Sequence, residues 1–462
     1  DSRYGPSDLP PQQRRQRTLQ ALLDQLSGLA ARQPVLLVLE DAHWVDPTTL
    51  ELLELMLDRV TTAPVLLLAT ARPSFTHGFG GHPIVTRLAL NRLGREATAA
   101  IMTRVTRGKA LPPELVAEIA ARTDGVPLYV EEMTKAVLES GALRETDDAW
   151  LLDGPLDRLA IPTSLHDSLM ARLDRLHPVK EVAQTAAVIG RTFDHQTIAA
   201  LAGLPETELS EAMQRLVEAE LVFRRGSPPD ATYLFKHALV RDAAYESLLK
   251  SRRQELHARL FHLLETDADA PAEILAQHAE AAGLMAEALA QWERAGAAAV
   301  VRPAYKEAIA AFGAAIRLAR EHGADGTRQR REVTLQVQLG QAFIANLGYQ
   351  APTTMAAFER ARELAEESGD AELLIPAIYG VWASRYIAVT PSADLAERMG
   401  ELTSVDRDSG ARCVAVRMLA LEQFHASRYK QSLDLAEQAL AIYEPTLHRN
   451  LGQRFGHDPR DS

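Results

Sequence analysis

The sequence predicts a mostly α-helical protein with a small parallel α/β segment near its N-terminus. Three observations carry this prediction. Alanine and leucine are abundant while aromatic residues make up 5% of the chain, a composition that favours helices. Two short apolar runs, 34–39 and 64–70, flank a helical pattern, which is typical of a strand–helix–strand unit. Most of the remaining chain has apolar residues at helical spacing.

The first 94 residues contain the strand signals. Leucines recur at helical spacing between 12 and 31, so a helix precedes the first strand. The apolar run 35–39 has no polar alternation, as is typical of strands buried on both faces of a parallel sheet. A helix over 49–60 and a second buried strand over 65–70 follow, and we predict a third strand over 85–90.

Helical patterns replace the strand signals after residue 95. Residues 95–140 predict three helices, because Gly108, the prolines at 112–113 and the turn residues 124–127 interrupt the apolar spacing. Residues 141–160 contain Asp, Gly and Pro clusters, and we predict a loop there.

Residues 160–250 have the outline of a winged-helix domain. Helical spacing covers 164–176, 178–189, 195–203 and 206–221. Two apolar stretches, 221–223 and 233–235, then flank a turn-rich segment. Helices followed by such a small hairpin are typical of winged helices.

The segment from about 252 to 445 is helical throughout, and it repeats. Tyr-Lys-Glu-Ala-Ile at 305–309 recurs as Tyr-Lys-Gln-Ser-Leu at 429–433. Small or apolar residues three apart recur at intervals of 46, 38 and 40 residues, beginning at Phe312, Phe358, Ala396 and Ala436. Helix-pair repeats of this length predict an α-solenoid, and ordinary helical hairpins are the alternative.

Charge and cysteine content exclude several classes of protein. Acidic residues number 62 and basic residues 50, and a net charge of −12 makes the chain a poor partner for nucleic-acid phosphates. The single cysteine, Cys413, allows no disulfide within the chain. The apolar runs are far shorter than the roughly 18 residues of a membrane helix, and no secretory signal opens the chain. We therefore expect a cytoplasmic protein with no membrane partner.

Two adjacent carboxylates end the first predicted strand. The segment 35–41 finishes with Glu40 and Asp41, and open α/β sheets bind their ligands at the carboxyl ends of their strands. There the first acid can hold Mg²⁺ and the second can orient an attacking water, which is the logic of the Walker B element. A strand that ends in an ordinary polar loop has the same appearance, so both interpretations stay open.

Arg72 follows the second predicted strand. An arginine at the tip of a neighbouring parallel strand would point at the same crevice as the two acids, where it could contact a γ-phosphate. The alternative is a solvated arginine in a surface loop.

Three segments together resemble a family of signalling ATPases. They are Val-Leu-Glu-Asp-Ala-His-Trp-Val-Asp at 38–46, Ala-Thr-Ala-Arg-Pro at 69–73 and Thr-Asp-Gly-Val-Pro-Leu at 123–128. The family is the STAND-type ATPases of the AAA+ superfamily, in particular a bacterial group often joined to class III adenylate or guanylate cyclase domains and followed by tetratricopeptide-like repeats. The segment 235–245 is similar to the winged-helix signature of that group, and the resemblance runs from about residue 10 to the end of the chain.

The resemblance implies a nucleotide-dependent switch. It implies the C-terminal part of an NTPase core over 1–94, a helical lid over 95–150, a winged helix over 160–250, a tetratricopeptide-like solenoid over 252–445 and a truncated tail over 446–462. ATP or ADP would bind with Mg²⁺ held by Glu40, with water activated by Asp41 and the γ-phosphate sensed by Arg72. Pro127 would pack near the adenine. His237 would contact the β-phosphate, with a purely structural histidine as the alternative.

The chain departs from the family at the phosphate-binding loop. A glycine-rich loop of the pattern G-x-x-x-x-G-K-[ST] cradles phosphates with backbone N–H groups and a lysine, and no such sequence occurs in the 462 residues. Gly108-Lys109 is followed by Ala110. We therefore expect a fragment, truncated at both ends, that binds ATP weakly or not at all on its own.

Three functions stay open. The first is an ATP-dependent regulatory switch in bacterial signal transduction, whose solenoid senses a protein or peptide partner and controls an N-terminal effector such as a fused cyclase, with oligomerisation on activation. The second is a non-enzymatic scaffold whose solenoid binds a protein or peptide. The third is a DNA-binding regulator, which the five glutamates of the candidate recognition helix 206–220 disfavour.

Overall fold

The chain forms two compact units in a computed structural model. The structure describes residues 11–75, 81–153, 164–176, 179–322, 325–404, 408–448 and 451–455. The first unit holds residues 1–86, 270–280 and 284–462, and the second holds 87–269 with 281–283. Helices dominate both units and small sheets supplement them, which confirms the predicted fold class. Within the described residues, no helix combines the length and the apolar character needed to cross a membrane.

The N-terminal part of the first unit is the predicted strand–helix–strand segment. Its elements are α1 (Pro11–Ala30), β1 (Val35–Leu39), a 3₁₀ turn (Ala42–Trp44), α2 (Pro47–Val60) and β2 (Val65–Ala69). The two strands pair in parallel and in register, with Leu39 opposite Ala69 at their carboxyl ends. The Asp46 side chain caps α2 by accepting from the Thr49 backbone N–H at 2.8 Å.

One face of this two-stranded sheet is covered by helices and the other is exposed. The covered face packs against Leu23 of α1 and Leu53 and Met56 of α2, and its side chains are Leu37, Leu39 and Leu67. The residues that alternate with these are half or more exposed, and they are Leu36, Val38, Leu66 and Leu68. Because parallel sheets are normally buried on both faces, the exposed sheet face has the character of a packing surface.

The predicted third strand over 85–90 is wrong. These residues form no strand, and Leu88 and Leu90 are 78% and 96% exposed. A strand needs a neighbour to satisfy its backbone groups, and none of the described residues pairs with this segment.

The second unit begins with the three predicted helices and continues with a hairpin. The helices are α3 (Arg95–Val105), α4 (Pro113–Thr123) and α5 (Pro127–Leu138), and the hairpin consists of β3 (Leu143–Glu145) and β4 (Trp150–Leu152). The prediction of a loop over 141–160 is therefore wrong for 143–152. The polar cluster forms the turn of the hairpin, where the Thr146 N–H donates to the Ala149 carbonyl at 2.8 Å. Residues 154–160 lie outside the described residues.

A helical bundle with a small antiparallel sheet completes the second unit. Its helices are α6 (Leu165–Arg175), α7 (Val179–Ile189), α8 (His195–Ala202), α9 (Glu206–Glu218), α10 (Ala238–Glu246) and α11 (Lys250–Glu265). Its strands β5 (Thr192–Asp194), β6 (Val222–Arg225) and β7 (Thr232–Phe235) lie in the order β5–β7–β6. The predicted hairpin is β6–β7, and β5 is an additional strand. The core includes Leu169, Val182, Phe193, Leu216 and Phe235.

The repeat segment of the first unit is a row of helices, most of which pack on their neighbours in sequence. The helices are α12 (Ala272–Ala282), α13 (Met285–Val301), α14 (Tyr305–His322), α15 (Asp325–Leu347), α16 (Pro352–Ser368), α17 (Ala371–Ile387), α18 (Ala393–Ser404), α19 (Ser409–His425), α20 (Tyr429–Ile442) and α21 (Leu451–Phe455). This arrangement agrees with the predicted α-solenoid. Part of the sequence expected to be a polar tail is built into it, because Leu451 and Phe455 of α21 are buried and Phe455 meets Tyr379 edge-on at 5.1 Å.

Glycines let the helices of the repeat segment approach the buried ring of Phe358. A methyl group at Gly380 of α17 would lie 2.1 Å from Phe358 Cδ1, and one at Gly340 of α15 would lie 2.6 Å from its Cζ. Gly313 on α14 differs, because a methyl group there would meet no atom within 4 Å.

We expect Gly380→Ala to lower the free energy of unfolding by about 1–3 kcal/mol, because the ring must move within a packed core. Gly313→Ala is the matched control and should raise it by about 0.5–1 kcal/mol through helix propensity. Urea unfolding followed by circular dichroism measures both, and stabilisation by Gly380→Ala would contradict the packing described.

Candidate functional site

The candidate site lies where β1 and β2 end. Beyond the last register pair, the Thr70 N–H donates to the Leu39 carbonyl at 2.9 Å, and the Ala42 N–H donates to the Thr70 carbonyl at 2.8 Å. The two chain segments are therefore held side by side past the strands. Glu40 is exposed at this edge, directly after β1.

Asp41 adopts a left-handed backbone conformation, with φ 56° and ψ 46°. Its backbone N–H donates to the Thr70 hydroxyl oxygen at 2.9 Å, and its carbonyl accepts from the Trp44 N–H at 2.9 Å. Aspartate and asparagine tolerate this conformation better than most other residues do. The chain thus turns sharply at the second acid, and Thr70 on the neighbouring strand fixes the turn.

Arg72 lies on the face of Trp44. The guanidinium carbon is 5.4 Å from the centroid of the indole ring, a distance typical of cation–π contacts. Trp44 is itself more than half exposed, and its ring lies 4.7 Å from that of His43. Both ring nitrogens of His43 are buried with no hydrogen-bond partner among the described residues. The arginine after β2 and the aromatic residues after the two acids therefore share this end of the sheet.

Sequence reasoning missed the contributions of Thr70, Trp44 and His43. Trp44 and His43 directly follow the acids, and Thr70 ends the second apolar run, so their positions were a usable signal. The sequence contained no signal for the contact of Thr70 with Asp41 or for that of Trp44 with Arg72, because each contact joins segments about 29 residues apart in the chain.

Pro127 occupies the first position of α5 in the second unit and is exposed. The turn before it has two left-handed residues, Asp124 at φ 48° and Gly125 at φ 68°. A side chain at Gly125 would lie 2.3 Å from the Leu93 carbonyl oxygen, while the Leu93 N–H donates to the Gly125 carbonyl at 2.8 Å. Glycine is therefore required for this close backbone approach.

His237 is the residue before α10 and is partly buried. Its Nε2 atom is buried and has no hydrogen-bond partner among the described residues. Burial, followed by the charge of Lys236, holds the pKa of His237 below its usual value of 6.5. An imidazole nitrogen without a partner among the described residues is able to contact a ligand oxygen.

Four charged side chains form a network next to His237. Lys135 of α5 contacts Glu131 at 2.8 Å and Glu220 at 2.6 Å. Lys236 contacts the same two carboxylates at 3.4 Å and 3.1 Å. The two lysines lower the pKa of Glu220 to about 2. Residues from α5 and from the sheet-bearing bundle are thereby tied together within the second unit.

The shift at His237 predicts a pH dependence of stability. The imidazole of His237 takes up a proton more readily in the unfolded state than in the folded state. The free energy of unfolding should therefore fall as the pH falls from about 7 to 5. His237→Gln removes this titration, so its stability should fall less steeply over the same range. Chemical unfolding at several pH values measures both slopes, and equal slopes would contradict the burial described.

The described residues can supply part of a Mg²⁺–nucleotide site. No group of three or more His, Cys, Asp or Glu side chains in the described part of the chain is arranged to hold a metal ion. Mg²⁺ commonly binds through one or two carboxylates together with waters and substrate phosphates, and the exposed carboxylate of Glu40 fits that role. The glycine-rich phosphate cradle, in contrast, is not in this sequence.

Comparison with known proteins finds a family match in the N-terminal segment. Residues 2–68, which include β1, the two acids and most of β2, match the model of the AAA ATPase domain family. The match supports the predicted resemblance to STAND-type AAA+ ATPases, together with the helical repeats seen in the structure.

Two longer proteins are similar to the chain over most of its length. An uncharacterized protein of Rhizobium meliloti (strain 1021) is 28% identical over 469 residues, which cover 98% of this chain and 44% of that protein. The chain thus spans less than half the length of this curated relative. A crystal structure of a STAND protein with a tetratricopeptide repeat sensor from Pyrococcus horikoshii aligns with 95% of this chain and 66% of its own, at 13% identity and a TM-score of 0.40.

Proposed function

We propose that this chain is part of an ATP-dependent regulatory switch of the STAND type, acting in the cytoplasm. Its N-terminal segment contributes acids and an arginine to a nucleotide site, and its helical repeats sense a protein or peptide partner. The switch controls an effector attached to the N-terminal side, for which a nucleotide cyclase is one candidate. The observation that carries the proposal is the joined end of β1 and β2, which presents Glu40, Asp41 and Arg72 together. Glu40 and Asp41 lie within the segment that matches the AAA ATPase domain model, and Arg72 follows it.

The geometry supports a distinct role for each of these residues. Glu40 is exposed at the strand end and provides a carboxylate for Mg²⁺, which neutralises phosphate charge when it is bound with nucleotide. Asp41 is fixed by Thr70 and accepts the hydrogen bond of a water at the phosphate. Arg72 rests on Trp44, a polarisable surface that it can leave to pair with a γ-phosphate oxygen.

The exposed sheet face supports the proposal that another segment completes this domain. Four large apolar side chains are exposed on two paired parallel strands, a surface that such sheets normally cover. A strand, phosphate-binding loop and helix packed against the sheet would bury these side chains. The same segment would supply the phosphate cradle.

Arg72→Ala in the full-length gene product tests the role of the arginine. We expect ATP affinity to fall about tenfold or more while ADP affinity stays nearly unchanged, because only ATP has the γ-phosphate. Arg32→Ala, an exposed arginine at the other end of β1, is the matched control. Equal losses for ATP and ADP, or no loss for either, would contradict the assignment.

A non-enzymatic scaffold is the second candidate. The observation that favours it is the lack of a G-x-x-x-x-G-K-[ST] sequence beside an extended row of helical repeats. A scaffold would bind its partner with the same affinity in the presence and absence of Mg²⁺–ATP. A regulatory switch would bind with different affinities in the two conditions.

A further inference from the structure

A cavity of about 310 Å³ lies within the second unit, between α7, α8 and α11. Its apolar lining includes Val182, Leu248 and Leu256, which are buried, and Leu204, which is exposed. Sites for small molecules are typically cavities of about 300–1,000 Å³ with an apolar lining and a few polar groups that orient the ligand. The cavity therefore has room for a small organic molecule and not for a folded segment of a protein.

Two side chains of opposite charge line the same cavity. Glu181 belongs to α7 and Arg252 to α11, and these two helices pack against each other. Glu181 has no ion-pair partner in the part of the chain that the structure describes. Arg252 contacts Glu255 of its own helix at 2.6 Å, and both of these side chains are about half exposed. Because such exposed pairs contribute little to stability, Arg252 can turn from Glu255 towards a ligand.

Two neutral side chains of α7 complete the polar lining. The Gln184 side-chain amide donates to the Ser247 hydroxyl at 2.8 Å, which leaves the carbonyl oxygen of Gln184 as an acceptor. The Thr185 hydroxyl donates to the Glu181 carbonyl at 2.8 Å, so its oxygen can still accept. Helix α7 thus offers a carboxylate and neutral acceptors, whereas α11 offers a guanidinium group.

We propose that this cavity binds an amino acid with an apolar side chain. The ammonium group of the ligand contacts Glu181, its carboxylate pairs with Arg252, and its side chain lies against the apolar lining. A simple carboxylate would bring a like charge close to Glu181, and a simple amine would do the same at Arg252, so a zwitterion complements both ends. The inference depends on the second unit alone and goes beyond the proposed nucleotide switch.

Isothermal titration calorimetry of the chain with L-leucine, L-methionine and L-phenylalanine tests the proposal. We expect saturable binding of at least one of the three, with a Kd of about 0.1–1 mM. The analogues of that amino acid without the ammonium group or without the carboxylate should each bind about tenfold or more weakly. For L-leucine these analogues are 4-methylpentanoate and 3-methylbutylamine.

Two variants assign the two ends of the ligand. Glu181→Gln should remove most of the preference for the amino acid over the analogue without the ammonium group. Arg252→Gln should remove most of the preference over the analogue without the carboxylate. A merely structural effect would weaken all three ligands equally. Glu211→Gln, which changes an exposed acid of α9 outside the cavity lining, is the matched control and should leave every affinity within about twofold.

Circular dichroism checks that each variant is folded. The proposal is overturned if none of the three amino acids binds saturably up to about 10 mM. It is also overturned if either analogue binds as tightly as the amino acid, or if Glu181→Gln and Arg252→Gln leave both preferences unchanged.

Discussion

Replacing Asp41 with asparagine in the full-length gene product is expected to lower the rate of ATP hydrolysis about a hundredfold or more, with ATP affinity nearly intact. The substitution removes the carboxylate that would accept a hydrogen bond from water. It preserves the backbone, because asparagine adopts the left-handed conformation of residue 41 as readily as aspartate does. A lower rate of hydrolysis should therefore reflect the missing carboxylate and not a disturbed turn.

Two companion variants make this result specific. Glu40→Gln should weaken the dependence of ATP binding on Mg²⁺, since that carboxylate is proposed to serve the metal. Asp58→Asn changes an exposed acid of α2 away from the strand ends and should leave hydrolysis unchanged. Unchanged hydrolysis in the Asp41→Asn protein, measured by phosphate release, would refute the role of Asp41.

The buried ion pair between Arg172 of α6 and Glu132 of α5 predicts the largest loss of stability. The side chains are 4% and 2% exposed, and Arg172 also donates to the Ala219 carbonyl at 2.7 Å. Glu132→Leu leaves the guanidinium buried without this partner. We expect the free energy of unfolding of the second unit to fall by about 3–5 kcal/mol. At about 2–4 °C per kcal/mol, the melting temperature should fall by roughly 6–20 °C.

The exposed pair Glu118 and Arg122 of α4 provides the matched control. Their contact of 2.6 Å is comparable, but each side chain is 35% exposed, so Glu118→Ala should cost at most about 0.5 kcal/mol. The double variant Glu132→Leu with Arg172→Leu should recover much of the loss, because it removes the unpaired charge. Calorimetry measures the thermal unfolding of the unchanged chain and of the three variants. If Glu132→Leu lowered the free energy of unfolding no more than Glu118→Ala does, the burial of the Arg172–Glu132 pair would be contradicted.

The parts of the fold that depend on local pattern were predictable from the sequence. The continuous apolar runs at 35–39 and 65–69 became β1 and β2, and the breaks at Gly108 and at 124–127 separate α3, α4 and α5 as expected. The errors arose where a strand depends on a partner. Residues 85–90 look apolar enough for a strand but pair with nothing described, and 143–152 form a hairpin inside a segment rich in turn residues.

The candidate site was predictable in its composition but not in its geometry. The sequence places Glu40, Asp41 and Arg72 after two apolar runs, and parallel pairing then brings them to one edge. It does not indicate the left-handed backbone of Asp41, its bond to Thr70 or the position of Arg72 on Trp44. These features arise from contacts between distant segments. The roles of all five predicted site residues, including Pro127 and His237, stay predictions.

Equilibrium binding of a fluorescent ATP analogue, in the presence of Mg²⁺, tests the central claim most directly. The claim is that the strand ends of this chain form part of a nucleotide site completed by a phosphate-binding loop from another segment. We predict micromolar affinity for the full-length gene product, loss of that affinity in the 462-residue chain alone, and weaker ATP binding by the Arg72→Ala protein. Absence of binding by the full-length product, or equal binding by the isolated chain, would contradict it.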